Sequence, residues 1–117
     1  MNRYLLLLLA CGVSACSHAQ PDLLSQLRAL DRGCTSDAQC RTVPVGAKPC
    51  GGPETFLPYS NAREQPAKVT ELAERYSKER EAKFKGMGVA GDCMIVTDPG
   101  AVCRAGSCQT AGGAKAQ

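Results

Sequence analysis

Six cysteines that follow residue 33 constrain the fold of this chain more than any other feature. They are Cys34, Cys40, Cys50, Cys93, Cys103 and Cys108. An even number of cysteines in so short a chain favours three disulfides wherever the compartment is oxidising. The core that they support is limited, because the 117 residues contain no Trp, two Phe and three Tyr. We therefore expect a single small domain that depends on cross-links as much as on apolar packing.

The N-terminal segment predicts export from the cytoplasm. Met1–Arg3 is a short basic start, and Tyr4–Val13 is an apolar run that contains five consecutive leucines. A run of this length is too short for a bilayer core of about 30 Å, which takes about 20 residues to cross. A basic start, a short apolar run and small residues after it are typical of a secretory signal peptide. We therefore expect an oxidising compartment for the later cysteines.

The end of this segment resembles the lipobox of bacterial lipoproteins. The residues that carry the resemblance are Val13-Ser14-Ala15-Cys16. It implies that residues 1–15 are removed as the signal peptide and that Cys16 carries a diacylglyceryl group. Residues 16–21 would then be a lipidated tether, short enough to keep the domain near the membrane surface. The chain as a whole resembles the small Cys-containing bacterial lipoproteins of unknown role.

The residue after Cys16 is Ser17, which resembles the sorting pattern of outer-membrane lipoproteins. The resemblance implies a lipid-anchored position in the bacterial cell envelope, at the outer membrane and facing the periplasm. One alternative is ordinary cleavage after Ala19, which would release a soluble periplasmic protein without Cys16. A second lipobox-like match ends at Cys11, but its apolar segment would have only about six residues, below the usual length.

Disulfides are favoured over a metal site for the six later cysteines. No two of them have the C-x₂-C spacing that structural zinc sites and thioredoxin-like redox centres use. The one histidine, His18, lies in the tether. We therefore predict three disulfides, no metal site and no cofactor.

Two short segments resemble the opening and closing of a widespread small cysteine-rich module. Residues 34–40, CTSDAQC, have the form C-x-x-D-x-x-C, and residues 103–108, CRAGSC, supply the closing glycine and cysteine. The resemblance implies the pairs Cys34–Cys103 and Cys40–Cys108, which leaves Cys50 to pair with Cys93. Six cysteines allow fifteen connectivities, and local pairing of Cys34 with Cys40 is the main alternative.

Apolar periodicity predicts two helices. Leucines recur at helical spacing between Pro21 and Arg32, and Gly33 is a natural stop. A longer amphipathic helix is predicted from Pro66 to Lys85, with charges of alternating sign on its solvated face. The apolar stripe of this second helix consists of Val69, Leu72, Ala73, Tyr76 and Phe84.

The remaining segments predict strands and set the fold class. Arg41–Val45 and Cys93–Thr97 have the composition of strands. A hairpin is expected from Ala101–Cys103 and Ser107–Thr110, on either side of Arg104–Gly106. The expected fold is α+β, with a short N-terminal helix and one longer amphipathic helix against a small antiparallel sheet. The disulfide-stapled domain would cover residues 22–110, and residues 111–117 would be a flexible tail.

Residue types that carry chemistry are scarce. Nucleophilic catalysis needs an activated Ser, Thr or Cys beside a base, and the one histidine lies in the tether. The carboxylates lie mostly on helix surfaces, where nothing apolar raises a pKa. A net charge of +3 is too small for nucleic-acid binding without a basic cluster. We predict a structural or binding module rather than an enzyme. The module would contact the membrane through its lipid, and it would bind a protein partner of unknown identity.

A partial resemblance to Kazal-type serine protease inhibitors offers an alternative function. The residues that carry it are Pro49-Cys50-Gly51, Thr55-Phe56, Asn61 and, after the long helix, Gly91-Asp92-Cys93. The resemblance implies a Cys50–Cys93 disulfide and an exposed inhibitory loop over Arg41–Val45. The binding residues would be Arg41, Thr42 and Val43, with Thr42 nearest the specificity position. The two cysteines that the family places near the start of its helix are absent here.

Reduction of the disulfides should unfold the mature domain. A Cys50–Cys93 bond would close a loop of about 44 residues, for which the chain-entropy relation gives about 4 kcal/mol. The whole free energy of unfolding of a marginal domain is about 5–15 kcal/mol. We therefore expect the fully reduced and alkylated chain to lose its native circular dichroism. A native-like spectrum after this treatment would contradict the prediction.

Overall fold

The described part of the chain contains two α-helices, one short 3₁₀ turn and two pairs of strands. The computed structural model describes residues 21–87 and 93–112, so the predicted signal peptide and Cys16 lie outside the described residues. The elements are α1 (Leu23–Arg28), a 3₁₀ turn (Asp37–Gln39), β1 (Cys40–Val45), β2 (Thr55–Ser60), α2 (Pro66–Met87), β3 (Ala101–Arg104) and β4 (Ser107–Thr110). This is a small disulfide-stabilised α+β domain with one long helix, as the sequence predicts in outline.

Helix α1 begins at a side-chain cap and ends earlier than predicted. The Oδ1 atom of Asp22 accepts a hydrogen bond from the Ser25 N–H at 2.8 Å, which lowers the pKa of Asp22 below its ordinary value. The prediction extends this helix to Arg32. The chain turns away instead, and Asp31 Oδ1 accepts a hydrogen bond from the Gly33 N–H at 2.8 Å.

Helix α2 packs a stripe of small apolar side chains against β1 and α1. Its first residue is Pro66, where the missing N–H removes no helical hydrogen bond. Val69 is 1% exposed and Ala73 is 3% exposed, and the half-buried Leu72 and Tyr76 pack beside them. The buried core of the domain consists of Leu27, Val43, Val45, Tyr59, Val69 and Ala73.

Strands β1 and β2 form an antiparallel pair. The prediction of a strand over Arg41–Val45 is confirmed, and β1 alternates buried Val43 and Val45 with more exposed residues. Strand β2 was not predicted. Its Pro58 lies opposite Thr42 in the register, and a proline removes one hydrogen-bond donor from a strand and weakens the sequence signal.

Strands β3 and β4 form the predicted hairpin, in which Cys103 lies opposite Cys108. Ala105 with φ 50° and Gly106 with φ 77° occupy the turn, and a two-residue hairpin turn of this hand needs two positive φ angles. The hairpin is a sheet of its own, separate from β1 and β2. The expectation of one small sheet is therefore wrong. Disulfides and single hydrogen bonds attach the hairpin to the rest of the domain, and no continuous ladder of hydrogen bonds joins it to β1 and β2.

The segment Cys93–Thr97 takes no regular secondary structure, which corrects the strand predicted from its composition. Met94 is 73% exposed and Ile95 is 91% exposed. The Lys48 Nζ donates a hydrogen bond to the Met94 carbonyl oxygen at 2.6 Å. β-branched composition alone therefore does not make a strand here, and a side-chain contact helps to fix this segment.

All six cysteines of the domain are paired. Cys34 bonds to Cys103, Cys40 to Cys108 and Cys50 to Cys93. The predicted disulfides are confirmed with the connectivity that the module resemblance implies, and local pairing of Cys34 with Cys40 is wrong. Two of the bonds join the chain at the start of β1 to the β3–β4 hairpin. The third joins the loop after β1 to the segment after α2.

The two disulfides at the hairpin are embedded among backbone hydrogen bonds. Cys40 is 8% exposed and Cys108 is 0% exposed. The Cys108 N–H donates to the Arg32 carbonyl at 2.7 Å, and Asp37 Oδ1 accepts from the Cys103 N–H at 2.8 Å. The aspartate of the C-x-x-D-x-x-C pattern therefore contacts the same strand that the first cysteine of the pattern cross-links.

The disulfides should be reduced in the order of their exposure. Cys50 and Cys93 are both exposed, so a small reductant should open this bond first. The Cys40–Cys108 bond should persist longest, because it is buried. Timed alkylation followed by peptide mass spectrometry measures each pair separately. Alkylation of Cys40 or Cys108 before Cys50 would contradict the prediction.

Candidate functional site

A groove of about 440 Å³ lies between α2 and the loop that connects β1 to β2. This volume lies in the lower part of the range of small-ligand pockets. Its buried lining residues are Val43, Ala47 and Ala73, together with Gly46. Its exposed charged lining residues are Glu74, Lys78 and Glu81 of α2. The groove therefore combines an apolar interior with an edge that carries both signs of charge.

The loop on the other side of the groove is tightly turned and cross-linked. The Lys48 N–H donates to the Gly52 carbonyl and the Gly51 N–H donates to the Lys48 carbonyl, both at 2.9 Å. Gly51 and Gly52 have φ angles of 97° and 81°, in the region that favours glycine. Between Lys48 and these glycines, Cys50 is bonded to Cys93. A covalent bond thus fixes the middle of the loop.

An ion pair joins the end of this loop to α2. The Arg80 Nε lies 2.6 Å from Glu54 Oε1, with the two side chains 28% and 34% exposed. The hydrogen bond to Glu54 raises the pKa of Arg80 above its ordinary value. The same Oε1 atom accepts a hydrogen bond from the Ala47 N–H at 3.2 Å. A Cβ at Gly46 would lie 2.7 Å from this atom, so a larger residue at this positive-φ position would displace the carboxylate.

Ser77 of α2 lines the groove, and its hydroxyl contacts two backbone carbonyl oxygens. The hydroxyl oxygen lies 3.0 Å from the carbonyl oxygen of Gly46 and 3.0 Å from that of Ala73. A nucleophilic serine needs a neighbouring base, and these two partners are backbone acceptors. A small ligand or side chain with an apolar body and a charged end would match the buried lining and the charged edge.

The three residues predicted for an inhibitory loop lie in β1, which is paired with β2. Arg41 is exposed, whereas Val43 is 4% exposed. The half-buried Thr42 donates its hydroxyl hydrogen to Asp98 Oδ1 at 2.8 Å. Alternate residues of a strand point to opposite faces, so the structure does not bring these three side chains together. Protease inhibition stays a prediction, as does the lipid at Cys16, which lies outside the described residues.

Three sulfur atoms come close together where the hairpin joins β1. The Sγ atoms of Cys34, Cys40 and Cys108 lie within 4.8 Å of one another. Each belongs to one of the two disulfides at this position. A disulfide sulfur lacks the thiolate charge that binds a metal ion. This cluster is therefore a structural joint in the oxidised domain.

No family model, no curated protein and no solved structure matches this chain. Across residues 21–87 and 93–112, none of the helices is long and apolar enough to cross a membrane. A functional assignment therefore depends on the residues of the chain itself.

The sequence does not predict the groove, although it does predict the tight turn around Cys50 at the border of the groove. The breakers around Cys50 predict a tight turn, and the structure has one there. Glu54 and Arg80 are 26 residues apart, so no local pattern indicates their ion pair. The small residues Gly46, Ala47 and Ala73 are the one signal that points to unfilled volume beside α2.

Glu54→Gln should lower the free energy of unfolding by about 1 kcal/mol, because it removes the charge from a partly exposed ion pair. Glu71→Gln, at an exposed position of the same helix as Arg80, should lower it by about 0.3 kcal/mol or less. Urea unfolding followed by circular dichroism measures both. Arg80→Gln and the double variant complete a cycle in which the two effects should not add. Fully additive effects would contradict the role of this pair.

Proposed function

We propose that this chain is a lipid-anchored protein of the bacterial cell envelope whose stapled domain acts as a binding module. The lipid would be attached at Cys16, at the end of the lipobox-like residues 13–16. The observation that carries the proposal is the pairing of the later cysteines. The three disulfides use all six of them, so none of these bonds needs Cys16 as a partner. This pairing supports the proposed lipid at Cys16.

The proposed location is the outer membrane, with the domain facing the periplasm. Ser17 supports this location through its resemblance to the sorting pattern. An oxidising periplasm also agrees with a domain held by three disulfides. Release after Ala19 would leave the same three disulfides in place, so the state of Cys16 is what distinguishes an anchored protein from a soluble one.

The groove beside α2 is the proposed binding site of the module. Its buried Val43, Ala47 and Ala73 supply apolar contact, and Lys78 and the two glutamates of the edge supply charge. The Cys50–Cys93 bond and the Glu54–Arg80 pair hold its walls. A site that is fixed before the ligand arrives loses less conformational entropy on binding, which favours affinity. The proposed role is therefore binding without catalysis.

Metabolic labelling with an alkyne analogue of palmitate tests the anchor. Cys16→Ser should abolish the label, because the diacylglyceryl thioether cannot form without the thiol. Cys11→Ser, a matched loss of a thiol in the same segment, should keep the label. Mass spectrometry of the N-terminal peptide should find lipid on residue 16. Equal labelling of the unchanged chain and Cys16→Ser, or a mature protein that begins after Ala19, would contradict the proposal.

A further inference from the structure

Two large apolar side chains project from the domain beside a disulfide. Met94 is 73% exposed and Ile95 is 91% exposed. They directly follow Cys93, whose bond to Cys50 ties them to the loop after β1. The Lys48 Nζ also donates a hydrogen bond to the Met94 carbonyl at 2.6 Å. The pair is therefore held at a defined place by a covalent bond and a charge-assisted hydrogen bond.

The predicted tether joins the domain beside the C-terminal half of α2. Asp22 and Leu23, at the start of α1, share a shallow depression with Tyr76, Arg80 and Lys83 of α2. Residue 21 immediately precedes this point. The chain that leads to Cys16 therefore leaves the domain at the level of these α2 residues.

The loop that holds Met94 lies beside the same stretch of α2. Its residues Gly51–Pro53 share the groove with Lys78 and Glu81, and its last residue, Glu54, pairs with Arg80. A helix rises 1.5 Å per residue, so positions 76–83 span only about 11 Å along the axis. The start of the tether and Glu54 therefore lie at this same end of α2, on either side of Arg80, while the depression and the groove face different sides of the helix.

We propose that Met94 and Ile95 contact the phospholipid surface to which the chain is anchored. The inference rests on the proposed lipid at Cys16. Residues 17–21 span at most about 18 Å when fully extended, so this end of the domain stays close to the bilayer. At a membrane interface, apolar side chains enter the acyl boundary while a neighbouring lysine keeps its charge among the headgroups. Lys48 beside Met94 has this arrangement.

The charges at this end of the domain are mixed, so the contact depends on the aliphatic pair. Lys83 shares its depression with Asp22 and Glu79, and Lys78 shares the groove with Glu81. Opposite charges this close reduce the net attraction to anionic headgroups. The contact should therefore form on a bilayer of zwitterionic phosphatidylcholine as well.

A single introduced tryptophan tests the contact, because the natural chain has none. The full lipidated chain carrying Ile95→Trp is reconstituted in phosphatidylcholine vesicles with brominated acyl chains. We expect its emission to shift to shorter wavelength and to lose most of its intensity relative to unbrominated vesicles. Ala62→Trp is the matched control, since Ala62 is exposed and precedes the opposite end of α2. It should show neither change.

The outcomes separate this inference from the function on which it rests. Unquenched emission from Ile95→Trp, or equal quenching of Ile95→Trp and Ala62→Trp, would overturn the membrane contact. The mass of the N-terminal peptide is measured on the same sample. A peptide without lipid contradicts the proposed anchor and the contact with it. A lipidated chain in which Ile95→Trp stays unquenched contradicts the contact alone.

Discussion

The domain depends on the joint between the β3–β4 hairpin and the chain at the start of β1. An isolated two-stranded hairpin is marginally stable at best in water. Here two disulfides attach it, and Asp37 and the Arg32 carbonyl accept hydrogen bonds from its Cys103 and Cys108 N–H groups. The bonded cysteines are 69 and 68 residues apart, so the same joint closes the long loop that contains β1, β2 and α2. The same two disulfides therefore attach the hairpin to the domain and lower the conformational entropy of the unfolded chain.

Small side chains connect the limited core to the groove. Val69 and Ala73 are buried residues of α2, and Ala73 also lines the groove with Gly46 and Ala47. Residues of this size bury little apolar area, so they contribute less to stability than large ones. They also leave volume beside the helix unfilled. The small side chains that limit the core therefore also line the groove, and the Cys50–Cys93 bond cross-links the loop on its other side.

Helix α2 and the β3–β4 hairpin could be predicted because their signals are local: an apolar stripe, and a glycine between two short strand-like runs. Strand β2 could not, since its Pro58 weakens the local signal and its existence depends on pairing with β1. The strand predicted for Cys93–Thr97 is the opposite error, because the segment has the composition of a strand but no partner strand in the described part of the fold. The cysteine pairs were predictable only through a resemblance. The groove was not, because Glu54 and Arg80 meet through tertiary structure alone.

A domain with so few large apolar side chains nevertheless leaves Ile95 91% exposed. Burying such a side chain would contribute about 1.5–3 kcal/mol to folding, which is comparable to one disulfide. The Cys50–Cys93 bond lies two residues before Ile95, so the cross-link that fixes the loop also holds Ile95 at the surface of the domain. Contact with another apolar phase would recover this free energy. Under the proposed lipid anchor at Cys16, the nearest such phase would be the acyl region of the membrane that holds the chain.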